Sequence, residues 1–239
     1  MNIAIILAGG VGNRVGAGIP KQFIEVLGKP VLVYTVEKFQ NHSEIDAIEI
    51  VCIKSHISYM QELKDKYGLN KIKWITEGGA TFQESVINGI KNLHGKISSD
   101  DIVLTHFSAS PFVEDPVITD VIKVCKEKGN AISTTPFYLL STFRDTNESG
   151  KAGKWVDRDT LAVMNTPHAF RYSFICDFYK EAVETGAINK VEPHTTSLMQ
   201  YMGKPIYFSK GSQTNIKITT KEDLDLFEGY VLMKQRRGN

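Results

Sequence analysis

An apolar run, Ile3 to Leu7, opens this chain and passes directly into Ala8-Gly9-Gly10-Val11-Gly12-Asn13-Arg14, with Pro20-Lys21-Gln22-Phe23 following after a short gap. An uninterrupted run of this kind suits a strand buried on both faces, as in a parallel sheet. Glycines at its end let the backbone turn sharply and approach a ligand, because no Cβ stands in the way. Backbone N–H groups presented in such a turn form a cradle for an anion. Arg14 and Lys21 add full positive charges to those partial ones, so Leu7, Ala8, Gly9, Gly10 and Gly12 read as the backbone of a phosphate site. The spacing excludes two commoner glycine loops. The dinucleotide pattern G-x-G-x-x-G, started from Gly10, fails at Val15, and the P-loop pattern requires Gly-Lys-Ser/Thr, which this segment does not supply. A packing turn would explain the glycines alone, but not the two cations beside them.

Short β-rich runs then alternate with amphipathic helical patterns. Ile3–Leu7, Ile45–Ile53, Lys73–Thr76, Ile102–Thr105 and Ala131–Thr135 read as strands, and Pro30–Gln40, Ser58–Lys66, Phe82–Leu93 and Pro116–Lys128 carry apolar residues at helical spacing. The stripe Val86, Ile87, Ile90, Leu93 is an example. This alternation predicts an α/β fold, a mostly parallel sheet flanked by helices, with ligands beyond the carboxyl ends of the strands. The pattern changes at 137–159, where Leu139–Phe143 and Lys154–Val156 flank a turn containing Asn147, Ser149, Gly150 and Gly153. These residues predict a protruding β-arm within a single domain spanning 1–239. A two-stranded element is marginal alone in water, so a second copy of the chain is its simplest packing partner. Helices at Tyr172–Thr185 and Thr196–Met202 and a strand at Ile206–Ser209 follow. Thr220 with Asp223 three residues on forms a capping-box pair for the last helix.

Composition limits the partners. The chain of 239 residues carries a net charge of +1, which gives no global electrostatic argument for nucleic acid or an anionic membrane surface. No apolar run approaches the roughly 20 residues of a membrane span, and no leader pattern opens the chain; the expected location is the cytoplasm. Cys52, Cys125 and Cys176 are odd in number and far apart, which suits reduced thiols, with Cys52 and Cys125 in the core. No pair of histidines falls at ligand spacing for a metal.

Further motifs continue the pattern: Gly78-Gly79 with Ser85, Thr105-His106 with Pro111, Val156-Asp157-Arg158, Thr166-Pro167 and Asn215-Ile216-Lys217-Ile218-Thr219. With the first two segments they stand in the order and spacing of the methylerythritol-phosphate and ribitol-phosphate cytidylyltransferases. The chain resembles that family over nearly its whole length. The resemblance implies a Rossmann-like nucleotidyltransferase fold, a homodimer joined through the β-arm, and transfer of a cytidylyl group from CTP to a small phosphorylated polyol with Mg²⁺ held mainly by the CTP phosphates. It further implies that Arg14 and Lys21 hold the triphosphate and Lys217 the α-phosphate. Gly79 and Ser85 would meet the cytosine edge, and Arg158, from across the dimer, would clamp the acceptor phosphate with Thr166.

The sequence also departs from the family pattern. The usual His-Asp-Ala-x-Arg-Pro is His106-Phe107-Ser108-Ala109-Ser110-Pro111 here, Thr214 precedes Asn215 in place of an acidic residue, Phe82 replaces an arginine, and Pro193-His194-Thr195-Thr196 replaces a Thr-Asp segment. Phe107 would narrow and dry the acceptor pocket, and His194 would supply a lost polar contact. Two readings stay open: a cytidylyltransferase with a rebuilt acceptor half, or a nucleotide-binding homologue acting as a regulatory or assembly subunit. An acceptor phosphate is already largely a dianion near neutrality and needs no general base, so His106 is expected to be structural, bonding a loop.

Overall fold

The computed structural model describes residues 1–10 and 19–238; Gly12 and Arg14 lie outside the described residues. In chain order the elements are β1 (Asn2–Ala8), β2 (Glu25–Val26), β3 (Lys29–Pro30), α1 (Val31–Asn41), β4 (Ala47–Cys52), α2 (Ile57–Lys66), β5 (Ile72–Glu77), α3 (Phe82–Asn92) and β6 (Ile102–Phe107). Then come α4 (Asp115–Lys128), β7 (Asn130–Pro136), β8 (Thr142–Arg144), β9 (Ala152–Trp155), β10 (Ala162–Arg171), α5 (Tyr172–Glu184), α6 (Thr195–Tyr201), β11 (Phe208–Lys210) and α7 (Lys221–Arg236).

A seven-stranded sheet runs in the order β11-β7-β10-β6-β1-β4-β5, parallel except for β10, which is antiparallel to both β6 and β7. Side chains alternate across a strand, and β1 shows what that does here. Ala4, Ile6 and Ala8 enter one core with α1, α2 and α4, while Ile3, Ile5 and Leu7 enter the other with α3, α5 and α6. Both faces are dry, which is why the run is continuously apolar. Cys52 and Cys125 are buried in the first core, and burial pushes their thiols up to about 11 and about 12. No helix among the described residues is long and apolar enough to cross a membrane.

From β1 the chain runs outward to β4 and β5, then returns to the other side of β1 as β6. That reversal leaves a crevice beyond the carboxyl ends of β1 and β6, where ligands of open α/β sheets bind. Near it, a third cluster of Val26, Val31, Ala109, Phe112, Ile218, Phe227 and Val231 fixes α7 against the loop after β6. The Thr220 and Asp223 pair caps α7 as expected, each side chain accepting the other's backbone N–H.

Three features differ from the sequence reading. β10 was not expected, because Pro167 interrupts it; the strand passes this residue with a shift in register between Asn165 and His168. The strands of the arm are β8 and β9, shorter than and displaced from Leu139–Phe143 and Lys154–Val156, with Thr142 opposite Trp155 and Arg144 opposite Ala152. The short β2–β3 hairpin turns through Leu27 and Gly28, both at positive φ.

Beneath α3 the apolar layer contains the carboxyl of Glu49. Its Oε1 accepts hydrogen bonds from Thr76 Oγ1 and Asn92 Nδ2, both at 2.8 Å, while Oε2 is buried without a partner. Burial pushes Glu49 up to about 7, against the opposing pull of those two hydrogen bonds and Lys96. Between the ordinary value of 4.5 and about 7 the folded chain keeps a proton that the unfolded chain releases, so this group lowers stability as pH rises through that window. Replacing Glu49→Gln should therefore raise stability relative to the parent between pH 5 and pH 8, by as much as ~3 kcal/mol in urea titrations. Parallel pH dependence in the two proteins would contradict this.

Candidate active site

The crevice is built from segments that tie themselves to one another. Gln22 is 1% exposed because its Nε2 donates to the carbonyls of Ala8, at 2.8 Å, and Gly10, at 2.9 Å. The Pro20–Phe23 turn is thereby fixed to the end of β1. Lys21 Nζ donates to the carbonyl of Ile218 at 2.6 Å, which links this turn to the segment before α7. On the opposite wall, Thr81 and Glu84 form a capping box at the start of α3. One turn into that helix, Ser85 Oγ accepts from the N–H of Gly79 at 3.1 Å. Glycine is required at 79, where a Cβ would lie 2.2 Å from Glu84 Cβ, and a Cβ on Gly9 would crowd Ser85 Oγ at 3.0 Å.

These walls enclose a cavity of about 390 Å³ lined by Leu7, Gly9, Gly10, Lys21, Gln22, Gly79, Ser85 and Lys217 among others. None of its described lining residues is acidic and two are lysines, a lining whose charge favours an anion. A second cavity of about 350 Å³ shares Phe107 and Lys217 with the first. Its lining is mostly neutral and polar, including Ser110, Asn165, Thr166, Thr196, Ser197 and Asn215, with Glu192 as its acidic member. Glu192 Oε1 accepts from the Ser197 hydroxyl at 2.6 Å.

Lys217 stands where the two cavities meet, and its neighbours in sequence are held on both sides. Asn215, 2% exposed, donates from Nδ2 to the Thr166 carbonyl at 2.6 Å. The N–H of Ile218 donates to the Ala109 carbonyl at 2.8 Å. The ammonium of Lys217 lies 3.6 Å from the centroid of the Phe107 ring.

Burial holds the two innermost histidines near the crevice, His106 and His168, in the neutral form at pH 7. His106 is fully buried and its Nε2 lies 3.0 Å from the Ser110 carbonyl, which agrees with the loop-bonding role expected of it. Burial pulls His106 down to about 4. Burial, helped by His106 and His194, pulls His168 down to about 3. His194 is also lowered, by burial and then by Lys217.

Of the residues singled out in the sequence, Leu7, Gly9, Gly10, Lys21, Gly79, Ser85 and Lys217 line the first cavity, while Thr166, His194 and Lys217 line the second. Ala8 is in the core beside them, its carbonyl bonded to Gln22. Ser85 does not cap α3, a role Thr81 takes; its hydroxyl is bonded to Gly79. Arg158 lines neither cavity within the single chain; it is exposed at the base of the arm and donates to the Tyr138 carbonyl at 3.0 Å. Gln22 and Asn215 were not assigned roles from sequence. Both act by bonding carbonyls distant in the chain, which no local pattern announces.

A doubly wound sheet with glycines at the end of β1, two lysines and adjoining cavities at its switch point suits a site for a phosphorylated nucleotide. Comparison with known proteins gives the family. The family model described as "IspD: 2-C-methyl-D-erythritol 4-phosphate cytidylyltransferase" matches residues 2–233, and the chain belongs to that family. It is 38% identical to a ribitol-5-phosphate cytidylyltransferase of Lacticaseibacillus paracasei over 235 residues, covering 98% of this chain and 100% of the relative. It is also 38% identical to a 2-C-methyl-D-erythritol 4-phosphate cytidylyltransferase of Clostridium novyi over 231 residues, covering 96% of each. Among solved structures, the 4-diphosphocytidyl-2C-methyl-D-erythritol synthase of Anaerococcus prevotii superposes with a TM-score of 0.81 at 25% identity, covering 97% of this chain and 96% of that one.

The bonds of Gln22 give a direct test of how the crevice is held. Gln22→Leu removes the donor for two carbonyls, one of them buried, and should cost about 1–3 kcal/mol of unfolding free energy in urea titration. An unchanged midpoint would mean that these bonds do not hold the turn.

Proposed function

We propose that this chain transfers the cytidylyl group of CTP to the phosphate of a linear sugar alcohol, in the cytoplasm, with release of pyrophosphate. The observation that carries this reading is the meeting of the acid-free cavity and the polar neutral cavity at Lys217. Nucleotide and acceptor bound in them would bring the α-phosphorus and the attacking phosphate oxygen together. That oxygen forms the new P–O bond in line, and the bond to the β-phosphate oxygen breaks. Such a reaction needs positioning and charge stabilisation rather than a protein nucleophile.

In this reading the glycine turn, Lys21 and Arg14 hold the triphosphate, and Lys217 meets the charge that develops at the α-phosphate. Gly79 and Ser85, bonded to each other, shape the wall against the base. Thr166 and His194, with the neighbouring Ser110 and Asn165, face the acceptor, whose hydroxyls match a lining of amides and hydroxyls. Neutral His106 and His168 fit a reaction whose nucleophile is already deprotonated. Among the described residues no cluster of three potential metal ligands occurs. In this reading Mg²⁺ would arrive on the triphosphate and keep its waters, as that ion does at nucleotide sites.

The arm supports a homodimer. Tyr138, Leu139, Leu140, Phe143 and Trp155 are exposed there, Leu140 at 94% and Trp155 at 80%. Contiguous apolar surface of this kind marks an interaction site. A partner's arm packed near the second cavity would also deliver Arg158 to the acceptor phosphate. Leu140→Asp with Trp155→Asp should shift the protein to a monomer in analytical ultracentrifugation; a parent protein that is already monomeric would refute this role.

The function is tested by pyrophosphate release from CTP and Mg²⁺ with ribitol, methylerythritol, glycerol and arabinitol phosphates. We expect turnover with one of these acceptors and its loss, by about a thousandfold or more, in Lys21→Ala and Lys217→Ala. CTP binding without turnover would favour a non-catalytic nucleotide-binding subunit, and unchanged rates in either variant would remove its phosphate role.

A further inference from the structure

Four segments distant in sequence place aromatic rings and a cation in one file across the crevice. The ring of Phe107, the last residue of β6, lies 5.4 Å from that of Phe82, the first residue of α3; the Phe82 ring in turn lies 5.4 Å from that of His194, the residue just before α6. At the other end the Lys217 ammonium sits over the Phe107 face at 3.6 Å. Phe82 and Phe107 stand where the family pattern has charged residues, and His194 lies in the segment that replaces its Thr-Asp segment. Phe107 is also common to the linings of both cavities.

A ring face attracts an ammonium without accepting its proton and without titrating, most strongly where water is excluded. A carboxylate at the same place would attract the ammonium too, but would oppose its charge towards a phosphate. We propose that Phe107 is a positioning residue for Lys217. Its ring, braced by Phe82 and His194, holds the ammonium at the passage between the two cavities with its charge directed at the transferring phosphate. The kinetic part of this inference rests on the cytidylyl-transfer reading, whereas the geometric part does not.

The experiment has a spectroscopic arm and a kinetic arm. In the apo protein labelled with ¹³C-lysine, the Lys217 Hε resonances, assigned by their disappearance in Lys217→Arg, should be shifted upfield by the ring current. They should return to the ordinary lysine position in Phe107→Leu, which keeps an apolar side chain but removes the ring. Ordinary lysine shifts in the parent would overturn the proposal. In the kinetic arm, Phe107→Leu should lower kcat about tenfold with the KM for CTP within about twofold, because the lost interaction acts on the transition state. Phe107→Tyr, which keeps the ring, should recover most of that loss. Unchanged kcat in Phe107→Leu, or an equal loss in Phe107→Tyr, would overturn the positioning role. A parent that turns over no acceptor would count against the proposed function, and the ring-current result would then decide the placement of Lys217 alone.

Discussion

The site depends on how the short stretch from Asn215 to Ile218 is held. It belongs to no regular element, so its own backbone offers no ladder to fix it. The Thr166 carbonyl takes the Asn215 amide, the Ala109 carbonyl takes the Ile218 N–H, and the Ile218 carbonyl takes the Lys21 ammonium. These bonds join β10, the loop after β6 and the turn after the glycine segment at one place. Lys217 lies within the pinned stretch, so its position is set by three parts of the sheet at once. Groups that act on a developing charge are effective when they need not reorganise, and this arrangement supplies that condition.

The sheet supplies the second condition, a crevice in the right place. Because the chain leaves β1 in one direction and returns to its other side as β6, a crevice lies beyond the carboxyl ends of these two strands. Its sides are a wall of glycines that admits close approach and a wall from the start of α3. Two buried imidazoles nearby are kept uncharged, because desolvation lowers His106 and His168. The first cavity then presents lysine charge, and the second mostly neutral hydroxyls and amides.

Much of this was legible in the sequence, for physical reasons that can be named. A strand buried on both faces must be apolar throughout, so β1 and β4 stood out; amphipathic helices carry their period on their surface, so α1 to α5 did as well. Strand β10 was hidden because Asn165, Thr166, Pro167 and His168 break any alternation, and its place in the sheet comes from β6 and β7 on either side. Gln22 carries no local signal of burial, yet it is buried with bonds to two carbonyls twelve and fourteen residues away. The aromatic file was equally hidden, since Phe82, Phe107 and His194 meet only once α3, β6 and α6 are packed together. The resemblance to the family pattern does imply that charged positions have become aromatic at Phe82 and Phe107. Only the packed fold shows that the new rings touch.

The central claim is direct transfer between ligands in two cavities that meet at Lys217. The stereochemical course at phosphorus tests it most directly, using CTP made chiral at the α-phosphorus by sulfur substitution and reading the product's configuration by ³¹P NMR. A single in-line displacement predicts inversion. Retention would require an intermediate on a protein group, and would contradict both the direct attack and the absence of any need for a nucleophile at the crevice.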